Sequence, residues 1–177
     1  MGNGPGHVGV AGAGLIQERS AKMQVHEIMT REVITVRPDA RVAAVARLFR
    51  EHAISGLPVV DDEGAVIGII TEKDLIARHA RPHFPHYIRV LDSVIYLEGS
   101  KRYEESIRHI LATTAGELMT KPVQTVGPDM DVQDLAALMV EKGINPVPVL
   151  DDQDRLIGIV SRTDVLNLIE QAETKGP

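Results

Sequence analysis

The chain has 177 residues, and its 19 Lys and Arg against 25 Asp and Glu give a formal net charge of −6. Apolar residues make up 44% of the sequence, which is typical of a globular protein, and the lack of Cys excludes disulfides, thiolate metal sites and Cys nucleophiles. The acidic balance and the scarcity of aromatics argue against nucleic-acid binding, and no apolar run approaches the roughly 20 residues that cross a bilayer. We therefore expect a cytoplasmic protein with neither nucleic acid nor membrane as partner.

The chain begins with a glycine-rich segment. Residues 1–22 show no helix or strand periodicity, and we expect a disordered tail. Residues 4–9 match the pattern G-x-G-x-x-G, but no strand precedes them and no βαβ unit surrounds them, so a dinucleotide-binding loop is not favoured. Residues 1–14 lack Lys and Arg and are interrupted by glycine, which does not fit a signal peptide.

The rest of the chain repeats itself at an offset of 90 positions. Residues 25–79 align with 115–169 without a gap, and 21 of the 55 positions are identical. The matching motifs are 27–30 with 117–120, 35–39 with 125–129, 58–62 with 148–152 and 67–71 with 157–161. The period is too long for a solenoid and there are two copies, which indicates a duplicated module.

The first half of each copy predicts a strand followed by a helix. Residues 35–36 favour a short strand, and Asp39, like Asp129 in the second copy, is the expected helix N-cap. The helical apolar stripe consists of Val42, Val45, Ala46 and Phe49, matched by Val132, Leu135, Ala136 and Met139. Gly143 is the expected C-terminal cap of the second helix, where Ala53 stands in the first.

The second half of each copy predicts a hairpin and a final helix. Residues 58–60 favour a strand, residues 61–64 a turn and residues 66–70 a second strand. A helix follows from Thr71. The resulting order is β-α-β-β-α in about 55 residues, which is too few for comfortable stability, so two copies are expected to share a core.

A long connector separates the copies. We expect the repeats to occupy 23–80 and 114–170, with an inserted connector at 81–113 and a short tail at 171–177. The second half of the connector favours a helix, because Tyr103, Ile107, Ile110 and Leu111 form an apolar stripe. The first half is ambiguous: Tyr87, Leu91, Val94 and Ile95 fit a helix, but the run is short and follows two prolines.

Each copy resembles a cystathionine-β-synthase (CBS) domain, and the pair resembles the tandem arrangement called a Bateman module. The motifs that carry the resemblance are 29–30 with 35–36, 54–61 and 68–74, each with a partner 90 positions on. It implies an α+β fold of the CBS type, in which two β-α-β-β-α repeats pack as a pseudo-twofold pair through their sheets. It also implies two clefts that commonly bind adenosine-containing ligands, and a homodimer.

The strongest candidate site residues are two motifs at helix starts. Thr71 and Asp74 form one, and Ser161 and Asp164 form the other. A Ser or Thr among free helix amides is a ready anion site, and a carboxylate one turn later can accept both hydroxyls of a ribose. The alternative interpretation is a capping pair that satisfies helix amides only.

The resemblance also implies a slot for the base in each cleft. Its residues are Ile54, Gly56, Leu57 and Pro58 in the first copy and Ile144, Pro146, Val147 and Pro148 in the second, with Thr35 and Thr125 on the opposite wall. The alternative is a buried turn that leads into a core strand. Pro146 has no backbone N–H to offer a base, which weakens the second cleft.

Two basic residues flank the helix-start motifs. Lys73 and Arg162 are placed to meet a phosphate, although cations near a helix start are more often simply solvated. The net charge of −6 makes a phosphate ligand more dependent on such local cations.

No residue pattern predicts an enzyme or a metal site. His79, His83 and His86 have a metal-like spacing, but the prolines between them break a common helical face. The paired carboxylates at 61–62 and 151–152 fall in turns, where Asp is expected. We expect no catalytic residue, no metal and no required cofactor.

Two hypotheses of function remain. In the first, the chain is a regulatory module in which AMP, ADP, ATP or another adenosine compound binds one or both clefts and changes the geometry of the pair for an unknown downstream protein. In the second, it is a ligand-free dimerisation scaffold that contacts a partner through residues 80–114. The helix-start motifs favour the first hypothesis, and Pro146 favours the second.

Overall fold

The computed structural model describes residues 23–79, 87–90, 93–96 and 107–174. The helices are α1 (Val25–Ile28), α2 (Val42–His52), α3 (Glu72–His79), α4 (107–111), α5 (Ala115–Leu118), α6 (Val132–Lys142) and α7 (Arg162–Thr174). The strands are β1 (Gly56–Val60), β2 (Val66–Thr71), β3 (Tyr87–Val90), β4 (Ser93–Tyr96), β5 (Val147–Leu150) and β6 (Leu156–Val160). The predicted α+β class is confirmed.

Each repeat contains one antiparallel hairpin, as predicted. Strand β1 pairs with β2 so that Leu57 lies opposite Ile70, and β5 pairs with β6 so that Val147 lies opposite Val160. These four side chains are fully buried. The turn at 61–64 closes the first hairpin, and both hairpins carry a bulge next to their turn.

The strand predicted at 35–36 is reduced to a single bridge. Val36 pairs in parallel with Val59: its N–H donates to the Pro58 carbonyl over 3.1 Å, and its carbonyl accepts from the Val60 N–H over 2.9 Å. Pro58 fits this position because the bridge uses its carbonyl as an acceptor and requires no N–H from it, which proline lacks. The same arrangement recurs in the second repeat, where Val126 bridges to β5.

The two repeats exchange their leading helices. Thr30, just after α1, pairs with Ile159 of the second repeat through hydrogen bonds of 2.9 and 3.0 Å. Thr120, just after α5, pairs with Ile69 of the first repeat through bonds of 2.9 and 3.1 Å. Each hairpin therefore has its outer edge covered by the other repeat.

The hydrophobic cores confirm the exchange. The core of the first repeat includes Val45 and Leu57, and it is completed by Ala115 and Leu118 from α5. The core of the second repeat is completed by Val25 from α1. All five side chains are inaccessible to solvent. Burying a side chain the size of Val or Leu stabilises by about 1.5–3 kcal/mol. Each core therefore depends for part of its stability on side chains that the other repeat supplies.

A glycine in each hairpin admits a methionine from the exchanged segment. A Cβ atom on Gly68 would overlap the side chain of Met119, and one on Gly158 would overlap that of Met29. Both methionines are buried. The two contacts occupy equivalent positions of the repeats. Each methionine packs against the hairpin of the other repeat and stabilises the pair.

The predicted N-caps Asp39 and Asp129 are wrong. Helix α2 is preceded by Arg41 and helix α6 by Asp131, whose carboxylate accepts the Gln133 N–H over 2.7 Å. The residues before each helix form a bend that accepts hydrogen bonds from the exchanged helix of the other repeat. In the first repeat the carbonyls of residues 38 and 40 accept the first two N–H groups of α5, over 2.8 and 2.7 Å. The bend therefore caps the N-terminus of α5. Helix α2 begins two residues later than predicted.

Helices α2 and α6 bury most of the predicted stripe. The buried residues are Val42, Val45 and Phe49 in α2 and Val132, Leu135 and Met139 in α6. Ala46 is exposed, so its place in the predicted stripe is wrong. Gly143 ends α6 in the left-handed conformation, with φ 62°, which confirms the predicted cap. Ala53 ends α2 in the same conformation, with φ 50°.

The described part of the connector contains both strand and helix. Strands β3 and β4 pair as an antiparallel hairpin, Tyr87 opposite Tyr96, where the apolar spacing also allowed a helix. Residues 107–111 are helical, in line with the stripe that predicted a helix there. Tyr103 of that stripe, the tail 1–22, His83 and His86 lie outside the described residues. Within the described ranges, no helix is both long and apolar enough to span a bilayer.

Candidate functional site

Both helix-start motifs form the same hydrogen-bonded corner. The N–H and the hydroxyl of Thr71 donate to Asp74 Oδ2, each over 2.7 Å. The N–H and the hydroxyl of Ser161 donate to Asp164 Oδ2, again each over 2.7 Å. Capping therefore accounts for one carboxylate oxygen in each corner, and the second oxygen remains to be assigned.

Burial distinguishes the two corners. Asp74 is only 7% exposed, whereas Asp164 is half-buried. The Asp164 side chain is therefore more accessible to a ligand than the Asp74 side chain. The corner at the start of α7 is therefore the better candidate for direct contact.

A small cavity lies beside the Ser161 corner. Its volume is about 110 Å³, and its lining residues are Thr30, Glu32, Val33, Ile34, Ile54, Ser55, Gly56, Pro146, Ile159 and Ser161. An apolar cavity of about 150 Å³ is large enough to bind a benzene ring, so this smaller cavity encloses only part of a ring system. Residues of both repeats line it, and its walls are mainly aliphatic.

The cavity joins four of the residues predicted from the sequence. Ile54 and Gly56 come from the first repeat, and Pro146 and Ser161 come from the second. The side chains of Leu57, Pro58, Val147 and Pro148 are fully buried in the strands, as the core-strand alternative has it. Thr35 and Ile144 are half-buried and are not among the residues that line this cavity.

The departure between the copies at Gly56 and Pro146 has a packing cause. These residues occupy equivalent positions, and a Cβ atom on Gly56 would overlap the ring of Pro146. The two therefore face each other where the repeats meet. Only a residue without a side chain leaves room for the proline, so the difference keeps the two clefts unequal.

The first amide of α7 already has an acceptor within the chain. The Arg162 N–H donates to Asn145 Oδ1 over 2.8 Å. Since the Ser161 N–H and hydroxyl bind Asp164, three donors at this helix start are satisfied by side-chain oxygens. Asn145 stands where the first repeat has Ser55, and its hydrogen bond to α7 was not predicted.

The predicted cations do not line the cavity. Lys73 and Arg162 are both exposed. Glu32 is the charged residue among those that line the cavity, and its counterpart in the second repeat is Pro122. The charged side chain that lines the cavity is therefore an acid, opposite in sign to what a phosphate ligand requires.

A second, wider and more open depression lies on another part of the molecule. Its volume is about 590 Å³, and it is lined by Ala65, Val66, Ile67, Lys121, Pro122, Val123, Thr125, Leu150 and Asp154. Thr125 is the predicted site residue that falls here. Thr71 and Asp74 do not line it, so the depression does not join a predicted wall to a predicted helix-start motif.

Five lining residues were missed by the sequence analysis, whereas Ser55 falls inside the predicted base slot at 54–58. The five are Thr30, Glu32, Val33, Ile34 and Ile159. They border the cavity because Thr30 pairs with Ile159 across the repeats. The internal repeat shows which positions are equivalent but not which copy a segment packs against. No signal in the sequence identified the exchange.

The two carboxylates with a shifted pKa lie outside the cavity. Hydrogen bonds from the Thr113 backbone and hydroxyl, followed by the Thr114 N–H, lower the pKa of Glu117 at the start of α5. Hydrogen bonds from Arg155 lower the pKa of Asp151 in the turn between β5 and β6. Neither group lines the cavity, and the described ranges hold no cluster of three metal-ligating side chains.

Comparison with known families identifies the module. The model of the CBS domain matches residues 25–81 and 115–171. Because these matches cover more than half of the sequence, the chain belongs to the CBS-domain family. An uncharacterised protein of Methanocaldococcus jannaschii is 33% identical over 155 residues, which cover 83% of this chain and 91% of the relative. Other relatives are longer, and the chain spans 62% of one and 24% of another.

Solved structures of CBS pairs have the same fold. CBSX2 of Arabidopsis thaliana, described in complex with AMP, has a TM-score of 0.67 and 27% identity over 84% of this chain and 97% of its own. The CBS domain pair of protein MJ0100 has a TM-score of 0.63 and 26% identity, and it likewise covers 84% of this chain and 97% of its own. That pair is described in complex with 5′-methylthioadenosine and S-adenosyl-L-methionine.

Proposed function

We propose that this chain is a regulatory ligand-sensing module that binds an adenosine-containing ligand in the cavity beside Ser161. The observation that carries the proposal is that Ile54 and Gly56 of one repeat and Ser161 of the other border the same cavity. Two CBS pairs of similar fold are described with adenosine compounds, which supports this class of ligand.

The chemistry of the cavity suits a nucleoside. Ile34, Ile54 and Ile159 supply aliphatic surface for the faces of an adenine ring. The half-buried carboxylate of Asp164, held in place by Ser161, supplies an acceptor for the hydroxyls of a ribose. The cavity itself holds only part of the base, and we place the sugar along the α7 side.

A ligand in this position links the repeats. It contacts the first repeat through 54–56 and the second through the α7 corner, so its affinity depends on how the repeats are arranged. Binding shifts the equilibrium between two arrangements only to the extent that the ligand binds one of them more tightly. This dependence is the proposed signal to a downstream protein.

We also propose that the module works as a homodimer. Ile76 on α3 is 71% exposed and Leu166 on α7 is 62% exposed, and the two residues occupy equivalent positions of the repeats. Exposed apolar residues at matching positions give a two-sided surface for a second copy. One structural observation supports the ligand-free scaffold: Leu111 on α4, inside the predicted connector, is 70% exposed.

Thermal melting with a ligand panel tests the sensing proposal. We expect adenosine, 5′-methylthioadenosine, S-adenosylmethionine or AMP to raise the melting temperature, by the equivalent of about 2.7 kcal/mol at a hundredfold excess over Kd. Asp164→Ala is expected to abolish the shift.

Asp74→Ala is the matched control, because it removes the same two hydrogen bonds from a corner that does not line the cavity. It lowers the ligand-free melting temperature but keeps the shift. No shift with any compound contradicts the proposal and favours the ligand-free scaffold, and equal loss of the shift in both variants contradicts the placement of the ligand beside Ser161.

A further inference from the structure

The charges and donors around the cavity distinguish between adenosine compounds. AMP and ATP carry a negatively charged group on the 5′ side of the sugar, whereas adenosine and 5′-methylthioadenosine are neutral there and S-adenosylmethionine carries a cationic sulfonium. All of them share the base and the ribose. The 5′ group must therefore be accommodated by whatever borders the base cavity and the Asp164 corner.

Three donors at the start of α7 already have acceptors within the chain, although it is a helix N-terminus. Free N–H groups attract anions to such positions. Here the Ser161 N–H and hydroxyl both donate to Asp164, and the Arg162 N–H donates to Asn145. A phosphate would have to displace these acceptors, one of which is itself a carboxylate.

Glu32 adds a second negative charge at the cavity. It lines the wall that also contains Thr30 and Ile34, and its side chain is exposed to solvent. The neighbouring Arg31 does not offset it within the cavity, because its guanidinium donates to the His26 carbonyl of α1 over 3.2 Å. Of the ten residues that line the cavity, none is Lys or Arg.

We infer that the cavity takes an adenosine derivative whose 5′ substituent is neutral or cationic, and that Glu32 disfavours nucleotide phosphates. This inference rests on the proposed function, since it names the ligand class of the same site. The carboxylates of Glu32 and Asp164 accept hydroxyls and attract a sulfonium, and both repel a phosphate. The matching position of the second repeat is Pro122, so the equivalent position there lacks this charge.

Calorimetric titration of the full chain at low salt tests the inference. The probes are adenosine, S-adenosylmethionine and AMP. We expect AMP to bind at least about tenfold more weakly than adenosine, because like charges repel across a partly solvated site. Glu32→Gln is expected to reduce that ratio to about threefold or less and to weaken S-adenosylmethionine, and high salt is expected to reduce the wild-type ratio as well.

Glu63→Gln is the control, because it removes the same charge from an exposed turn outside the cavity. It leaves the ratio unchanged. A wild-type ratio below about threefold, or equal effects of Glu32→Gln and Glu63→Gln, overturns the inference while the proposed function stands. Failure of every probe, adenosine included, overturns the proposed function itself.

Discussion

Single residues explain where the two repeats depart from each other. Gly56 and Pro146 differ because the two positions touch and only one of them can carry a ring. Asn145 replaces Ser55 and binds the first amide of α7. Such differences between copies make the clefts unequal, although the backbones of the repeats correspond element by element.

The helix ends at 53 and 143 provide a prediction for one residue. Ala53 adopts φ 50° and Gly143 adopts φ 62°, and the left-handed region disfavours every residue with a Cβ atom. We expect Ala53→Gly to stabilise the protein by up to about 1 kcal/mol and Gly143→Ala to destabilise it by about 1 kcal/mol. Denaturant unfolding measures both changes. A loss of stability in Ala53→Gly as large as that in Gly143→Ala would show that the Ala53 conformation carries no cost.

At the scale of elements, the short exchanged helices depend on hydrogen bonds at their starts. Helix α5 has only four residues, too few to be stable alone. The Glu117 carboxylate accepts the Thr113 N–H over 2.7 Å and the Thr113 hydroxyl over 2.9 Å, while the bend of the first repeat receives the helix amides. The side chain therefore helps fix the segment that carries Leu118 and Met119 into the other core.

These bonds give stability a defined pH dependence. They lower the pKa of Glu117 below its ordinary value of 4.5, so the unfolded chain binds the proton more readily than the folded one. The resulting stability is present above that value and is lost as the pH falls through the folded-state pKa. We expect Glu117→Gln to lower the melting temperature at neutral pH and to flatten its decrease between about pH 5 and about pH 3. Glu141→Gln, at an exposed position of α6, is the control, and a wild-type slope in Glu117→Gln would contradict the assignment.

Much of the element structure could be predicted from the sequence, and the exchange could not. Apolar periodicity located α2 and α6, and apolar runs on either side of an Asp-rich turn located the hairpins. The N-caps were misplaced because the bend at 38–40 serves α5, which is far away in the sequence. Met29 and Met119 suit either core equally well, since the repeats share one apolar pattern, and only packing decides between the two.

At the scale of the whole molecule, the exchange explains why a site forms between the repeats. The pairing of Thr30 with Ile159 brings residues 30–34 against the second repeat. Gly56 and Pro146, which contact each other across the repeats, also line the cavity. The helix-start motifs predicted the carboxylate in the second repeat, but part of the apolar wall beside it, including Ile34 and Ile54, comes from the first repeat. A ligand held by this cavity therefore depends on both halves of the chain.

The most direct test of this central claim is calorimetric titration of adenosine into single variants from opposite repeats. Ile54→Ala removes apolar wall from the first repeat, and Asp164→Ala removes the acceptor from the second. We predict that each weakens binding at least about tenfold, while Ile144→Ala, the counterpart of Ile54 that does not line the cavity, changes it less than about twofold. Loss of binding in only one of the two variants, or the same loss in Ile144→Ala, would contradict a site shared by the two repeats.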